Sequence, residues 1–257
     1  MPSRLVAIGA LATVSIAAAS MALATPSALP AQDSAAPVAH YRTQLRYTFD
    51  RGETLLPGSL VHDVSGHRHA GRVLVADRGH LSVVPGIHRR GAGYPINCPT
   101  CGPTGRTERK AIIEARDRIG LDPRRHPFFF GVAVKLTRFQ ALGGSNLVQK
   151  GYFHQPGGQY KLQVDDGIPS CVVSGGRSRL IVETTVNIAD GAWHSVTCRR
   201  TVDAVIVRVD RRVVGKQSGT PGLIANDAPV RVGGRNLHPH NDQYHGDLDN
   251  VFLRIKQ

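Results

Sequence analysis

Short runs of alternating apolar and polar residues, broken by Gly, Pro, Asn and Asp, dominate the chain from about residue 44 onward. In Val205–Val209, three valines face one way while Ile206 and Arg208 face the other, which is the period of a half-buried strand. Such a pattern of short alternating runs and turn residues is typical of an all-β sandwich or barrel. The predicted strands are Gln44–Phe49, Arg72–Val75, Phe128–Lys135, Asn146–Lys150, Gln159–Val164, Pro169–Val173, Leu180–Val186, Trp193–Arg199, Val205–Val209, Val213–Lys216, Val230–Val232 and Asn250–Ile255.

Helical periodicity is confined to Glu108–Ile119, and even there the centre, Ala111–Glu114, is interpreted as a strand. Two hairpins are indicated. The first turns at Asp165–Gly167, where Asp-Gly supplies the positive φ angles of a tight turn, and the second at Asp210–Arg212. Because each sheet must cover an apolar face, these strands predict a two-layer sandwich.

The first two dozen residues differ from the rest. Arg4 precedes the uncharged apolar run Leu5–Ala19, and Ala22–Ala24 forms a small-x-small site, which together predict a secretory signal peptide over residues 1–24. A membrane anchor is the alternative, but a spanning helix needs roughly 20 apolar residues and this run is shorter. Residues 25–40 are rich in Pro, Ala and Ser, which predicts a disordered linker. We expect a secreted, extracellular protein without a membrane span when mature, whose single domain covers residues 41–257.

The formal net charge is +13, carried largely by scattered arginine pairs. Such a field favours polyanions, and export favours acidic glycans, anionic envelope polymers or lipid headgroups over nucleic acid. The alternative is that the arginines reflect composition alone. Four cysteines in an exported chain indicate two disulfides, with a zinc site built from all four as the alternative. These are Cys98, Cys101, Cys171 and Cys198.

Several segments, in order along the chain, resemble the motifs of laminin-G-like domains. They are Tyr47–Asp50, Asp63–Gly66, Ala70–Gly71, Asp190–Val196 (DGAWHSV), Val205–Gly215, Val232–Gly234 and Tyr244–Val251. The resemblance implies an all-β, two-sheet antiparallel β-sandwich, a jelly roll of the concanavalin A-like type. Gly157–Val173 is similar to exported actinobacterial members of the group, in which a cysteine pair links neighbouring strands. That implies a Cys171–Cys198 bridge, and Cys98–Cys101 is expected to form the second.

The resemblance also assigns roles around the second hairpin. Trp193 is expected to pack in the core between the sheets, and His194 to make a structural hydrogen bond. Arg211 stands where the hairpin usually has glycine, so we expect a turn other than a tight type I′.

The positions of the acidic residues in the sequence argue against an enzyme. Hydrolases of this fold carry E-x-D-x-x-E on one strand, and the glutamates of this chain do not form that pattern; they are Glu53, Glu108, Glu114 and Glu183. Arg106–Arg109 resembles the R-x-E-x-R strand of alginate-type lyases, but Val148–Lys150 lacks the histidine of their Q-[IV]-H motif. We therefore expect a non-enzymatic protein. A polysaccharide-active enzyme and a structural envelope protein without a ligand stay open as alternatives.

Two candidate metal sites follow from the sequence. Asp247 and Asp249 project to one face of the last strand, and in similar sandwiches a closing aspartate and the opening strand hold structural Ca²⁺. With Asp50 they supply the oxygen ligands that calcium prefers. The alternative is that they pair with arginines. The loop His238–His245 (HPHNDQYH) could hold zinc, but we interpret it as a polar loop.

A binding edge is predicted around the mouth of the first hairpin, because glycan sites combine aromatic rings with convergent polar groups. The predicted ligand-binding residues are Tyr152, His154, Gln155 and Tyr160, with Phe153 and Gln159 beside them. We conclude from the sequence that the chain is a secreted binding or adhesion module for a glycan or an anionic envelope polymer.

Overall fold

The computed structural model describes residues 40–95, 109–141, 143–176 and 178–257. The predicted signal peptide, nearly all of the predicted linker and the Cys98–Cys101 pair lie outside these described residues.

Strands are the main secondary structure of the described residues, which also contain one short 3-10 helix at Ile119–Leu121. The strands are β1 Tyr41–Tyr47, β2 Leu60–Val61, β3 Gly71–Ala76, β4 Ser82–Pro85, β5 Arg90–Gly93, β6 Lys110–Ala115, β7 Phe128–Thr137, β8 Gly144–Lys150, β9 Gln159–Asp165, β10 Ile168–Gly175, β11 Ser178–Glu183, β12 Asp190–Arg200, β13 Ala204–Val209, β14 Arg212–Ser218, β15 Val230–Val232 and β16 Asp247–Lys256. The strand interpretation of Ala111–Glu114 is confirmed, while β2, β4 and β5 were not predicted.

The strands form two antiparallel sheets packed face to face, which confirms the predicted jelly roll. The first sheet has the order β14-β13-β12-β7-β16-β5-β4, with β1 also paired to β16. The second sheet has the order β11-β10-β9-β8-β15-β6-β3-β2. The inward residues of both sheets fill a single apolar core, so each sheet turns its other face outward.

The Cys171–Cys198 bridge is formed, but it does not join neighbouring strands as the resemblance implied. Cys171 lies on β10 of the second sheet and Cys198 on β12 of the first. Both side chains are completely buried. The bridge therefore crosses the core and fastens the two sheets to each other.

Both predicted hairpin turns are present, and the second corrects our expectation. Asp166 and Gly167 have φ of 50° and 83°, as a tight Asp-Gly turn requires. Asp210 and Arg211 also both have positive φ, 49° and 70°, so this turn has the backbone signs of type I′ without a glycine. Asp210 is held there because its carboxylate accepts the Ser195 amide at 2.9 Å.

Trp193 does not pack in the core, contrary to our expectation. Along β12 the side chains of Val196 and Cys198 point inward, and alternation sends Trp193 to the outer face of the first sheet. There it is half-buried, with its ring beside Gly91 of β5.

His194 makes the structural hydrogen bonds that were expected of it. Its Nδ1 lies 2.8 Å from an oxygen of Asp210 and its Nε2 lies 3.1 Å from one of Asp190. Desolvation acts to lower the pKa of His194, but the hydrogen bonds to Asp210 and Asp190 outweigh it and raise that pKa. The imidazole thus ties the start of β12 to the second hairpin turn.

This pair of contacts predicts a pH-dependent stability. Because the folded-state pKa of His194 is raised, its stabilisation is complete below the unfolded pKa of about 6.5 and is lost as pH rises through the folded value. In urea unfolding, the wild type should lose more stability than His194→Gln between about pH 6 and about pH 8.5. Equal losses in the two proteins would show that the histidine does not stabilise the turn through its charge.

Candidate functional site

The alternation of β9 defines the outer face of the second sheet. Tyr160 points into the core, where its ring lies 5.0 Å from that of Phe130 and its hydroxyl donates to the Leu121 carbonyl. The prediction that Tyr160 contacts a ligand is therefore wrong, because it is completely buried. The polar residues between the apolar ones, among them Lys161, face outward instead.

Neighbouring strands place further polar side chains beside Lys161. Lys161 is in register with Gln149 of β8, Gln149 with Arg231 of β15, and Arg231 with Glu114 of β6. Directly opposed residues on adjacent strands share a face, so these four form one row across the sheet. We call this row, together with Tyr152 at the end of β8, the second-sheet face.

Ion pairs and hydrogen bonds order this face. The Arg231 guanidinium donates through Nε to Glu114 at 2.7 Å and through Nη1 to the Tyr152 hydroxyl at 2.5 Å. The Tyr152 hydroxyl donates in turn to the Arg235 carbonyl at 3.2 Å. Lys161 lies 3.5 Å from Asp242, and desolvation lowers its pKa against the raising effect of that carboxylate.

Buried amide side chains support the row, and Gln149 is itself one of them. Asn146 donates to Gln149 at 2.7 Å, and Gln149 donates to the Gly151 carbonyl at 2.7 Å. The Asn146 side-chain oxygen is buried and has no hydrogen-bond partner among the described residues. The floor of the face is thus rigid and polar, which is what an oriented contact with hydroxyl groups needs.

A cleft of about 630 Å³ opens at the end of the same face. The exposed Phe153 ring forms one wall, and the Arg179 guanidinium of β11 lies 3.9 Å from its centroid. Gly157 and Gly158 bring the loop down onto the strands, since a Cβ at Gly158 would lie 2.5 Å from the Ser174 carbonyl oxygen. The remaining lining comes from Gln155, Pro156, Ser174, Gly176 and Ser178.

The predicted binding edge is therefore partly correct in position. Tyr152 lies on the second-sheet face, and Gln155 lines the cleft. His154 is exposed and its ring stands edge-on to Phe153 at 4.4 Å. Sequence reasoning missed Lys161, although the alternation of QYKLQVD assigns it outward just as it assigns Tyr160 inward.

The three predicted calcium ligands do not converge. Asp247 lies 3.7 Å from Lys135, whereas Asp249 accepts the Ile87 and Asn250 amides at 2.9 and 2.6 Å. Asp50 accepts the Arg90 amide at 3.0 Å and its charge raises the pKa of Asp249, after the larger effect of desolvation. The described residues include no group of three or more His, Cys, Asp or Glu side chains placed to hold a metal.

The polar-loop interpretation of residues 238–245 agrees with the contacts there. His238 and His240 are exposed, whereas His245 is buried with its Nδ1 2.5 Å from the Pro95 carbonyl. The three imidazoles therefore differ in their surroundings.

Comparisons with known proteins agree with this architecture. The laminin G domain family model matches residues 147–255, which include β9 to β15 and nearly all of β16. Over these residues the chain is similar to laminin G domains. No curated protein matches the chain by sequence. In the part of the chain that the structure describes, no helix is long and apolar enough to serve as a membrane span.

Solved structures share the fold of this domain at low identity. The binding domain of Paraclostridial Mosquitocidal Protein 1 has a TM-score of 0.58 and 14% identity, over 82% of this chain and 48% of that one. The binding domain of botulinum neurotoxin DC in complex with SialylT has a TM-score of 0.56 and 10% identity, over 82% and 47%. This chain thus spans about half the length of these two. Domain 4 of the extracellular arabinanase AbnA from Geobacillus stearothermophilus, in complex with arabinotriose, has a TM-score of 0.58 and 14% identity, over 84% and 93%.

Proposed function

We propose that this domain binds a glycan without acting on it, through the cleft and the adjoining second-sheet face. The observation that carries the proposal is the exposed Phe153 ring, backed by Arg179, at the end of a row of outward polar side chains. A sugar ring presents an apolar face to an aromatic side chain and hydroxyl groups to amides and cations. Two neighbours of the same fold, solved with arabinotriose and with SialylT, support the proposal by analogy only.

The glutamates of this sheet are not placed as a glycosidase pair, and the carboxylates of Asp165 and Asp242 both interact with the Lys161 cation. Glu114 is paired with Arg231, and Glu183 lies on β11, five strand positions away across the sheet. That separation is about 24 Å, whereas glycosidases hold their two carboxyl groups roughly 5–9.5 Å apart. A reducing-sugar assay with the ligand should therefore detect no release.

The first test combines a glycan array with calorimetry on the tightest binder. Phe153→Ala should weaken binding about tenfold, because stacking on the ring contributes about 1 kcal/mol beyond the area it buries. Arg179→Gln should weaken it as well, since the guanidinium fixes the ring and borders the cleft.

The matched control is Phe139→Ala, which removes another exposed phenylalanine, at the turn after β7. It should leave the dissociation constant within about twofold. Equal effects of the two alanine variants, or wild-type affinity in Phe153→Ala, would refute the cleft as the site.

We propose further that the protein meets this ligand outside the cell, in keeping with the signal peptide expected over residues 1–24. N-terminal sequencing of secreted protein should begin at Thr25. An intact Met1 terminus in a membrane fraction would refute export with cleavage.

We also propose that Asp50 and Asp249 form a calcium site that joins the first strand to the last. Asp249 is buried, and no cationic side chain among the described residues makes an ion pair with it. A divalent ion would relieve the desolvation of this carboxylate and its repulsion by Asp50. Asp247 is left out of the set because of Lys135.

Calcium should accordingly raise the melting temperature. At a free concentration a hundredfold above the dissociation constant the gain is about 2.7 kcal/mol. Scanning calorimetry should show this response in the wild type, its loss in Asp249→Asn, and its persistence in Asp247→Asn. A chelator that leaves wild-type melting unchanged would refute the site.

A further inference from the structure

The outer face of the first sheet carries a row of cations and apolar side chains in register. Phe129 of β7 pairs with Arg254 of β16 on one side and with Arg199 of β12 on the other. Arg199 pairs with Ile206 of β13, and Ile206 pairs with Lys216 of β14. We call these five residues the first-sheet row.

Aromatic rings lie close to both arginines of the row. The Arg254 guanidinium carbon lies 5.6 Å from the Phe129 ring centroid and 5.5 Å from that of Phe252. The Arg199 guanidinium carbon lies 5.4 Å from the centroid of Tyr41, whose hydroxyl accepts from Arg199 at 3.1 Å. A guanidinium fixed in this way loses little entropy when it binds an anion bidentately.

These cations lack acidic partners within the protein. None of the ion pairs formed by the described residues includes Arg199, Arg254 or Lys216. The Nε atoms of Arg199 and Arg254 are buried without a hydrogen-bond acceptor among the described residues. Asp247, on the same outer face, is already opposite Lys135. The row is thus a positive surface without acidic partners among the described residues.

The spacing of the row indicates a polymer. Arg254, Arg199 and Lys216 occupy alternate strands, so their backbones repeat at about 10 Å across the sheet. An extended polysaccharide chain that carries one acidic group on every second sugar has a charge repeat of comparable length. We propose that the first-sheet row binds an acidic polysaccharide with one anionic group per disaccharide, at a surface separate from the cleft.

Other polyanions match the row less well. Each strand of duplex DNA presents a phosphate about every 3.4 Å, so most of its charges would lie between the three cations. A membrane surface favours aromatic and aliphatic side chains that project into the acyl region, whereas Phe129 and Phe252 are half-buried beneath the Arg254 guanidinium.

Hyaluronan, with one carboxylate per disaccharide, is the probe that tests this proposal. At low salt the wild type should bind it, with affinity that falls as salt rises, and it should not bind dextran through this surface. Arg199→Gln combined with Arg254→Gln should weaken hyaluronan binding at least tenfold. The double variant Arg78→Gln with Arg138→Gln, which removes two exposed turn arginines and the same charge, should stay within twofold.

The melting temperatures of the variants show whether a loss of hyaluronan binding is caused by misfolding. If the Arg199/Arg254 double variant does not fold, Lys216→Gln tests the same row from an exposed position and should weaken binding about threefold, since it removes one of three cations. Absence of hyaluronan binding by the wild type, or equal losses in test and control variants, would overturn the proposal. The proposal would also be overturned if duplex DNA or phosphatidylglycerol vesicles bound more tightly than hyaluronan and the same row variants abolished that binding. Failure here leaves the cleft proposal intact, because the cleft is tested with Phe153 and uncharged glycans.

Discussion

Lys150→Met should destabilise the domain by about 3 kcal/mol at neutral pH, as the removal of one partner from a buried ion pair does. The Lys150 side chain is completely buried, and its Nζ lies 2.6 Å from Asp117 and 3.2 Å from Asp122. It also donates to the carbonyls of Asn226 and Ala228 at 2.7 Å each. Methionine fills the volume but leaves both carboxylates without their cation and both carbonyls without a donor.

The loss should shrink on acidification. Desolvation raises the pKa of Asp122, while Lys150 acts to lower it. Without Lys150 that pKa rises further, so the carboxylate destabilises the variant at high pH and ceases to do so as pH falls through its folded value. Urea unfolding of the wild type and of Lys150→Met at about pH 8 and about pH 4.5 measures the loss of stability at each pH.

Lys135→Met is the matched control, because it removes the partly exposed partner of Asp247. An exposed pair of this kind contributes at most about 1 kcal/mol. The account of the buried cluster is wrong if the two lysine variants lose equal stability, or if the loss in Lys150→Met is the same at both pH values.

The double variant Cys171→Ala/Cys198→Ala should lose about 3.5 kcal/mol, because the bridge closes a loop with a sequence separation of 27 residues. In a domain of this size that loss lowers the melting temperature by about 7–14 °C. Without the bridge, the segment that forms β10 and β11 is no longer tied to the segment that forms β12 in the unfolded chain. The conformational entropy of the unfolded chain therefore rises.

Reduction separates the effect of the bond from that of the side-chain volume. When unfolding is measured in a strong reductant that breaks the disulfide, the free energy of unfolding of the wild type should approach that of the double variant. The double variant should not respond to the reductant. A difference below about 1 kcal/mol between oxidised wild type and the double variant would mean that the two sheets are held together mainly by the core.

Strands with a clear alternation could be predicted from the sequence, because alternation reports one buried and one exposed face. Val205–Val209 and Gln159–Val164 are of this kind and lie within β13 and β9. The strands β2 and β4 are short and β5 contains two glycines. β2 pairs with β3, β5 with β16 and β4 with β5, and such pairing leaves no local signal in the sequence.

Side-chain direction was harder to predict than strand position. Trp193 and Tyr160 were each assigned to the wrong face of a correctly placed strand, and a shift of one residue is enough to exchange the two faces. The type I′ backbone at Asp210 and Arg211 was missed because its support is not local: the Asp210 carboxylate accepts the amide of Ser195.

The composition of the binding face depends on register between distant segments. Gln149, Lys161 and Arg231 come from three strands, and Arg231 reaches Gln149 only because β15 lies between β8 and β6. Arg179 meets Phe153 across the β10–β11 hairpin and the loop after β8. Sequence spacing alone does not encode these contacts, so the sequence predicted the loop but not its partners.

The most direct test of glycan binding at the cleft is an amide ¹H–¹⁵N chemical-shift titration with the tightest-binding uncharged oligosaccharide of the array. We predict saturable shifts at residues 152–158 and in the outward positions of β9 and β10, with Phe153 and Ser174 among the largest. Shifts confined to the first sheet around Trp193, or their absence at saturating ligand, would contradict the proposed site.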